Sequence, residues 1–429
     1  MFLQKSFERG EGSVDERFVK LSEIVPVIDT HNDFPYLLRV QLHNKINDLD
    51  FGSNLTSNTD LPKLKRGCVG VQFFSVYIEC KDGGDFLYTD FNELNSAVRD
   101  TLEQIDVTKR LVSKYHREMK FVNSAAEALD TYQKDRKIAI TLGVEGLHQC
   151  DLSLAVVRMY FDLGVRYITL THNCDNPFAM AASSIPFREK DFGLTAYGVE
   201  CVKEMNRLGM MVDLSHVSYQ TMLDVLEVSE APVIFSHSSV YKLTNHERNV
   251  RDDVLLKLKD NGGVIQINFC PFFITNGGKD EQGNLIASID DAVEHISYVI
   301  DLIGWDHVGL GSDFDGIPGY PVGLEDVSKY PDLIKKVWRK YDADESQIAK
   351  LMGWNTLRVW NICEKVAAQK QDMAPIEEQW GARAWEFPTW ATDDMPEIFP
   401  GSKDVYKKTT KWNSAQSLII SEPGNSSKK

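Results

Sequence analysis

Short apolar runs bounded by turn residues recur along the chain, and each predicts a strand buried on both faces of a parallel sheet. Eight of these runs lie at residues 25–29, 70–76, 138–142, 165–170, 209–214, 232–235, 263–268 and 307–311. The segments between them are mostly helical in period and composition. Strand followed by helix, repeated along the chain, predicts an α/β protein with a (β/α)8 TIM barrel over residues 1–370. A doubly wound open sheet is the competing arrangement, although the first strand lacks the Gly-rich phosphate turn typical of that fold.

The pattern changes after residue 370. Residues 371–429 contain several prolines and charges together with four tryptophans, Trp380, Trp385, Trp390 and Trp412. This composition predicts an irregular C-terminal extension that packs on the barrel or on a second subunit.

Composition narrows the range of possible partners. The chain of 429 residues is 43% hydrophobic and 26% charged, which predicts a large core and excludes disorder for most of its length. Asp and Glu outnumber Lys and Arg by 63 to 47, so with a net charge of −16 we expect no general attraction to nucleic acid or to an anionic membrane. No signal peptide, membrane span or hydrophobic tail is readable, and a cytoplasmic location is expected.

The seven cysteines are scattered, odd in number and free of C-x-x-C spacing. Neither a disulfide framework nor a thiolate zinc site is therefore predicted. This cysteine usage agrees with the expected cytoplasmic location.

Potential metal ligands lie at the predicted ends of four strands. They are His31 and Asp33, Glu145, His216, and His237. In a barrel the C-terminal ends of all strands face one mouth, so residues far apart in sequence can meet there. Imidazole and carboxylate groups suit Zn²⁺ and similar divalent ions. Three histidines and two carboxylates serve two ions more naturally than one, with Glu145 able to bridge them.

Three further residues follow strands where a substrate would bind. His172 could polarise a carbonyl group, Asp313 could pass a proton to a leaving group, and Arg248 could form a fork with a carboxylate, with Arg251 as its rival. Each residue taken alone is more often a cap, a salt-bridge partner or a solvated loop side chain, so the prediction depends on their coincidence. No role is predicted for the remaining histidines, His43, His116, His148, His246, His295 and His307.

Several strings between residues 25 and 365 are specific enough to compare with known families. They are Asp29-Thr30-His31-Asn32-Asp33, Gly143-Val144-Glu145-Gly146, Leu170-Thr171-His172-Asn173-Cys174, Asp213-Leu214-Ser215-His216-Val217-Ser218, Phe235-Ser236-His237-Ser238-Ser239, Arg248-Asn249-Val250, Gly311-Ser312-Asp313-Phe314-Asp315-Gly316 and Gly323-Leu324-Glu325-Asp326-Val327-Ser328-Lys329-Tyr330-Pro331. In this order they resemble the membrane (renal) dipeptidase family of the amidohydrolase superfamily.

The resemblance implies a metal-dependent hydrolase barrel that holds two Zn²⁺ ions per chain, with other divalent metals as substitutes. His31 and Asp33 would bind one ion, His216 and His237 the other, and Glu145 would bridge them. All five of these ligands are present in the sequence.

The same resemblance implies a dipeptidase that hydrolyses the peptide bond of small dipeptides. His172 would contact the scissile carbonyl, Arg248 would hold the substrate carboxylate, and Asp313 would act as the proton shuttle. Cys-Gly and its S-conjugates, derived from glutathione adducts, are the substrates expected for a member inside the cell, serving glutathione turnover or the tailoring of sulfur-containing metabolites. A homodimer is also expected.

The chain departs from the family pattern at several points. It shows neither the signal peptide nor the lipid anchor of cell-surface members, and Phe273 stands where some members place a tyrosine that contacts substrate. Cys80 and Cys174 fall where such members have a disulfide; a reducing cytosol can keep such a pair as thiols, so the sequence leaves their state open. Two alternatives stay open: an amidohydrolase that acts on a cyclic amide or ester with the same metals, and a catalytically silent barrel used for binding.

Overall fold

The fold is described from a computed structural model. It covers residues 7, 9–80, 97–279, 283, 285–377 and 396–402. The tryptophans of the C-terminal extension lie outside the described residues, so the proposed division at residue 370 stays a prediction.

The strands form one parallel sheet that closes on itself. Their order is β2-β1-β9-β8-β7-β6-β5-β4, and β2 pairs with β4 to complete the ring. This closure confirms the (β/α)8 barrel and rules out the open sheet. The strand bounds are β1 (Val27–Asn32), β2 (Val69–Val76), β3 (Met119–Phe121), β4 (Ile138–Glu145), β5 (Val165–Thr169), β6 (Met211–Asp213), β7 (Ile234–Ser238), β8 (Val264–Ile267) and β9 (Val308–Leu310).

Strand β3 is the one strand that the sequence pattern misses. It pairs with the first half of β4, where Met119 is opposite Ile138, and stays outside the ring of eight. Only the first of its three residues is buried, so it lacks the continuous apolar run by which the other strands are predicted.

Helices surround the barrel. Their bounds are α1 (Val14–Ser22), α2 (Phe34–Leu42), α3 (Leu61–Arg66), α4 (Ala97–Lys114), α5 (Ala125–Asp130), α6 (Leu154–Asp162), α7 (Ala196–Leu208), α8 (Tyr219–Val228), α9 (Asp252–Asn261), α10 (Pro271–Ile274), α11 (Ile289–Ile303), α12 (Tyr330–Tyr341), α13 (Glu345–Ala349) and α14 (Asn355–Gln369). π-Helical turns lie at Thr131–Asp135 and Lys350–Trp354, and 3₁₀ turns at Leu147–Cys150, Ala182–Phe187, Trp305–His307 and Val327–Lys329. None of the helices in the described ranges combines the length and the apolar character that crossing a bilayer requires.

Local sequence explains why several helices start and stop where they do. Ser218 and Thr195 begin α8 and α7, and each side chain accepts a hydrogen bond from a backbone N–H of the first turn. Gly209 and Gly262 end α7 and α9 in the left-handed conformation, which glycine adopts without a Cβ clash. These caps fix the short connections that carry the chain from helix to strand.

The barrel interior is filled by side chains, and one of them reaches the mouth. A Cβ atom on Gly143 of β4 would lie 2.0 Å from Cζ of Tyr167, so the absence of a side chain at this position makes room for the tyrosine ring. Tyr167 of β5 thereby extends across the barrel to the residues at the end of β1.

Candidate metal centre

All five predicted metal ligands meet at the C-terminal mouth of the barrel. The Nε2 atoms of His216, His237 and His31 lie 2.9, 3.3 and 3.6 Å from the same oxygen of Glu145, its Oε1. Asp33 Oδ2 lies 3.3 Å from Nε2 of His31. All five residues are buried. The structure therefore brings into one cluster the side chains that the sequence places in four separate segments.

The local backbone explains how these side chains are presented. His31 lies within β1 and Asp33 follows it, so the i, i+2 spacing on extended backbone directs both toward the mouth. Glu145 is the last residue of β4, and His237 lies in β7. His216 follows β6 with a φ of 66°, a left-handed conformation that is unfavourable for a histidine. Backbone strain of this kind is concentrated at functional sites.

A hydrogen-bond chain fixes the tautomer of His31. The Tyr167 hydroxyl donates to the carbonyl oxygen of Thr30 at 2.9 Å. The same hydroxyl oxygen must then accept the Nδ1 proton of His31, also at 2.9 Å. In the neutral imidazole the lone pair therefore lies on Nε2, the atom that faces Asp33 and Glu145. Burial opposes a charge on this ring, but Tyr167, Asp33 and Glu145 raise the pKa of His31 well above its usual range, so the surroundings of Nε2 favour a positive charge. Within the described part of the chain, this Nε2 is buried without a hydrogen-bond partner.

The other two histidines are oriented in the same way. Ser236 donates its hydroxyl proton to Asp213 at 2.5 Å and accepts from Nδ1 of His237 at 2.8 Å. The amide oxygen of Asn173 accepts from Nδ1 of His216 at 3.2 Å. Both imidazoles thus present an Nε2 lone pair to Glu145. Metal-binding histidines in proteins are oriented by acceptors of this kind.

Electrostatics favour cations at this cluster. Asp33, Glu145 and Asp313 are all buried, and Arg248 is the one Arg or Lys that lines the cavity in the described ranges. Burial raises the pKa of Glu145 and raises that of Asp313 well above its usual range, which shows how unfavourable these charges are without a counterion. Burial also lowers the pKa values of His216 and His237 well below their usual range, so both imidazoles are neutral at pH 7, the form that binds metal. Imidazole and carboxylate donors of this kind fit divalent metal ions.

We expect Tyr167→Phe to weaken metal binding without unfolding the barrel. The change removes the acceptor that orients His31, and loss of such a partner typically lowers metal affinity by about 10–100-fold. Zinc affinity of the chelator-stripped protein, measured by competition with a fluorescent chelator, checks this. Tyr197→Phe is the matched control, because it removes a buried hydroxyl that donates to the carbonyl oxygen of Leu152 at 3.0 Å. Equal affinities in the two variants would contradict the role of Tyr167.

The metal cluster forms the floor of a cavity of about 840 Å³. The three predicted substrate-contacting residues, His172, Arg248 and Asp313, line the same cavity. Nε2 of His172 lies 3.9 Å from Oε1 of Glu145. Asp313 has a φ of 66°, and Asn268 donates to its Oδ2 at 3.5 Å. The mouth therefore combines metal ligands with groups that can bind and protonate a substrate.

Arg248 has the surroundings expected of a group that binds a carboxylate. Its side chain is buried, and none of its three guanidinium nitrogens has a hydrogen-bond partner among the described residues. Its Cζ lies 5.2 Å from the centre of the Phe273 ring, a cation–π distance. Phe273 thus contacts Arg248 but has no hydroxyl to offer a substrate. The rival, Arg251, pairs instead with Glu247 at 3.0 Å, which removes it as the free cation.

Sequence reasoning missed the residues that orient the ligands. Asp213 and Asn173 belong to motifs quoted above, but only their histidine neighbours received a role. Tyr167 lies in the middle of a predicted strand. There, only the alternation of inward and outward side chains along the strand could indicate that it points into the barrel. The cavity wall also includes apolar residues that had no predicted role, namely Pro186, Phe272, Ile317 and Pro318.

The structure also shows the state of two cysteines that the sequence left open. Cys80 and Cys174 form a disulfide across a sequence separation of 94 residues. Their sulfur atoms meet because the segments that follow β2 and β5 are neighbours at the barrel mouth, a proximity that sequence spacing does not reveal.

A closed (β/α)8 barrel whose strand ends gather imidazole and carboxylate groups defines a metal-dependent hydrolase. The model of the membrane dipeptidase family, peptidase family M19, matches residues 15–374. The chain belongs to this family, as the sequence motifs predict, and is a metallodipeptidase.

Individual relatives agree with this assignment. The chain is 59% identical over 408 residues to an uncharacterized dipeptidase of Schizosaccharomyces pombe, covering 94% of this chain and 96% of that protein. Its fold is similar to that of the probable dipeptidase PvdM from Pseudomonas aeruginosa, with a TM-score of 0.72, 21% identity, and coverage of 82% and 99% of the two chains. A metallopeptidase from Rhodobacter sphaeroides, liganded with a phosphinate mimic of the dipeptide L-Ala-D-Ala, gives a TM-score of 0.66 at 25% identity, with 79% and 99% covered.

Proposed function

We propose that the protein is a dinuclear zinc dipeptidase that removes the C-terminal residue from small dipeptides. His31 and Asp33 would hold one ion, His216 and His237 the second, with Glu145 shared by both. The observation that carries this proposal is the convergence of three Nε2 lone pairs on one oxygen of Glu145, at 2.9–3.6 Å. Imidazole and carboxylate donors are those that zinc prefers at catalytic sites.

The bound ions would supply Lewis acidity and a nucleophile at neutral pH. The residues of the chain do the rest. Arg248 binds the C-terminal carboxylate of the dipeptide through a bidentate fork, because its guanidinium nitrogens are otherwise unpaired. His172 donates a hydrogen bond to the carbonyl oxygen as negative charge develops there. As water adds to the carbonyl carbon, Asp313 accepts the proton that the water loses. When the C–N bond breaks, Asp313 delivers this proton to the departing amine nitrogen.

The relative from Rhodobacter sphaeroides supports a dipeptide as the substrate, since its ligand mimics one. A free carboxylate on the substrate also accounts for a buried, unpaired arginine, which a cyclic amide or ester without that group would leave unmatched. The proposal includes a homodimer in the cytoplasm with a C-terminal extension from residue 371, supported by the family resemblance and the sequence.

For the substrate we propose Cys-Gly and its S-conjugates, which arise from glutathione adducts. The cavity has room for a side chain larger than that of cysteine, and Phe272, Ile317 and Pro186 offer apolar contacts to an S-alkyl group. Such a specificity would serve glutathione turnover or the tailoring of sulfur-containing metabolites.

A panel of dipeptides tests this specificity. We expect kcat/KM for Cys-Gly and S-benzyl-Cys-Gly to exceed that for Ala-Gly and Ala-Ala by at least about tenfold, since burying an added apolar side chain contributes roughly 1.5–3 kcal/mol. Amino acid release by the zinc-loaded protein is the measurement. Comparable turnover of all four compounds would remove the thiol-conjugate specificity and leave a general dipeptidase. Hydrolysis of cyclic amides but of no dipeptide would favour the alternative amidohydrolase.

A further inference from the structure

A second group of potential metal ligands lies beside the metal centre. It consists of Cys80, Cys174 and His148. The sequence predicted no role for His148. Both sulfur atoms and a ring nitrogen of His148 lie within 4.8 Å of one another. In the structure the two sulfurs are joined as a disulfide. Two sulfurs and one imidazole are the donor types of Cys/His zinc sites.

The three residues come from neighbouring parts of the barrel. Cys80 follows β2, His148 follows β4 and Cys174 follows β5, and these strands are adjacent in the ring. The Cα atoms of the two cysteines are 6.1 Å apart. A tetrahedral zinc ion with Zn–S bonds of about 2.3 Å separates two sulfurs by roughly 3.8 Å, which side-chain rotation can provide once the S–S bond is broken.

His148 is prepared as a ligand. Its Nε2 donates to the carbonyl oxygen of Ile78 at 2.8 Å, so the free lone pair lies on Nδ1. In the described ranges, that Nδ1 is buried and has no hydrogen-bond partner. The side chain is 3% exposed, and burial lowers its pKa to about 4, so the ring is neutral at pH 7. An imidazole with an unused lone pair beside two sulfurs has the chemistry of a metal site.

The remaining cysteines bear on the redox state of this pair. Five of the seven, Cys68, Cys150, Cys201, Cys270 and Cys363, carry free thiols, and all but Cys68 are buried. Free thiols in this number are typical of proteins kept in a reducing compartment, where a disulfide is reduced for at least part of the time. A thiol reductant in such a compartment would produce the dithiol form of Cys80 and Cys174.

We propose that Cys80, Cys174 and His148 form a third metal site, which binds Zn²⁺ or a similar thiophilic ion when the disulfide is reduced. Two equivalents of a thiol reductant supply two electrons: the S–S bond breaks, each sulfur gains a proton, and the reductant becomes its own disulfide. Binding of the ion then releases both thiol protons to solvent. The ion takes over the role of the disulfide, because it joins the same two segments of the mouth.

This link bears on the metal centre next to it. Cys174 directly follows Asn173, whose amide oxygen orients His216, and His172 lies one residue further back. With either the disulfide or the metal in place, the segment that carries these residues stays attached to the end of β2. The enzyme thereby keeps its active geometry in both redox states.

Cobalt spectroscopy distinguishes this site from the catalytic one. Thiolate–Co²⁺ coordination gives a charge-transfer band in the near ultraviolet, whereas imidazole and carboxylate ligands give none. We expect chelator-stripped, reduced protein to develop this band under saturating Co²⁺, with an intensity that corresponds to one thiolate-bound Co²⁺ per chain. The oxidised protein and reduced Cys80→Ser should show no such band. Zinc content should also be one ion per chain higher in the reduced than in the oxidised wild type.

His148→Gln tests the imidazole ligand. It keeps both thiols, and we expect the affinity for Co²⁺ measured from the band to fall by at least about tenfold. The proposal is overturned if reduced wild-type protein shows no band, or if Cys80→Ser retains it at full intensity, which would assign the band to another thiol such as Cys270 in the catalytic cavity. Unchanged affinity in His148→Gln would remove the imidazole from the site. The oxidised wild type is a further control, because it carries no substitution that could disturb folding.

Discussion

Asp313→Asn is expected to lower kcat for dipeptide hydrolysis by about 10²–10⁴-fold, the usual contribution of a general acid–base group. Asparagine has nearly the same shape as aspartate but cannot donate a carboxyl proton to the departing amine. Asp313 suits this role because burial raises its pKa well above the usual range, which favours a carboxyl group that holds a proton. Steady-state kinetics on Cys-Gly, with product quantified by amine derivatisation, give the size of the effect.

Metal content separates this role from that of a ligand. We expect Asp313→Asn to bind as much zinc as the wild type, because the five proposed ligands are untouched, whereas His237→Ala should lose both zinc and turnover. A fully active Asp313→Asn protein would eliminate Asp313 as the proton shuttle. A variant that lost zinc together with activity would make Asp313 a ligand instead.

The second large effect is expected from Arg248→Met. This change preserves much of the side-chain volume but removes the buried guanidinium that we propose to bind the substrate carboxylate. Loss of one partner from a buried, hydrogen-bonded charge pair costs about 2–5 kcal/mol, which corresponds to a 30- to 5,000-fold decrease in kcat/KM. The wild type should discriminate by a similar factor against a dipeptide whose C-terminus is amidated.

The amidated substrate makes the test specific. Arg248→Met should hydrolyse the acid and the amide at nearly equal rates, since the group that distinguishes them is gone. Arg251→Met is the matched control, because Arg251 pairs with Glu247 and lies over Tyr219 and Tyr241 instead of being free in the cavity. Retention of strong discrimination in Arg248→Met would assign carboxylate recognition to another residue.

The sequence predicted the barrel because each barrel strand is buried on both faces and therefore appears as a continuous apolar run. Some runs fell short where polar residues continue a strand: the first was predicted at 25–29 and the sixth at 232–235, yet β1 extends to Asn32 and β7 to Ser238. Functional side chains replace apolar ones at these ends. Hydropathy therefore underestimates the length of the strand at the end that carries the functional residues.

The helical segment after α12 shows a different limit. In the structure it is divided into α13 and α14 by a π-helical turn that contains Gly353. A Cβ atom at Gly353 would lie 2.4 Å from Cγ1 of Ile28, so the backbone of this turn packs directly against β1. Close approach between elements distant in sequence is a tertiary effect that helical periodicity cannot reveal.

The metal ligands could be predicted because residue type and strand position suffice to identify them. Their partners could not, because Tyr167 and Ser236 acquire a role only through the hydroxyl geometry of the folded barrel. For the same reason sequence spacing did not reveal that His148 lies close to Cys80 and Cys174, and only the family resemblance pointed to a pairing of the two cysteines, which are 94 positions apart.

The most direct test of the central claim is the recovery of activity when zinc is titrated into chelator-stripped protein kept under oxidising conditions, so that the disulfide remains closed. A dinuclear site predicts that hydrolysis of Cys-Gly reaches its maximum at two zinc ions per chain, and that Glu145→Gln does not recover at this stoichiometry. Full activity at one ion per chain, or full recovery in Glu145→Gln, would contradict a metal pair bridged by Glu145.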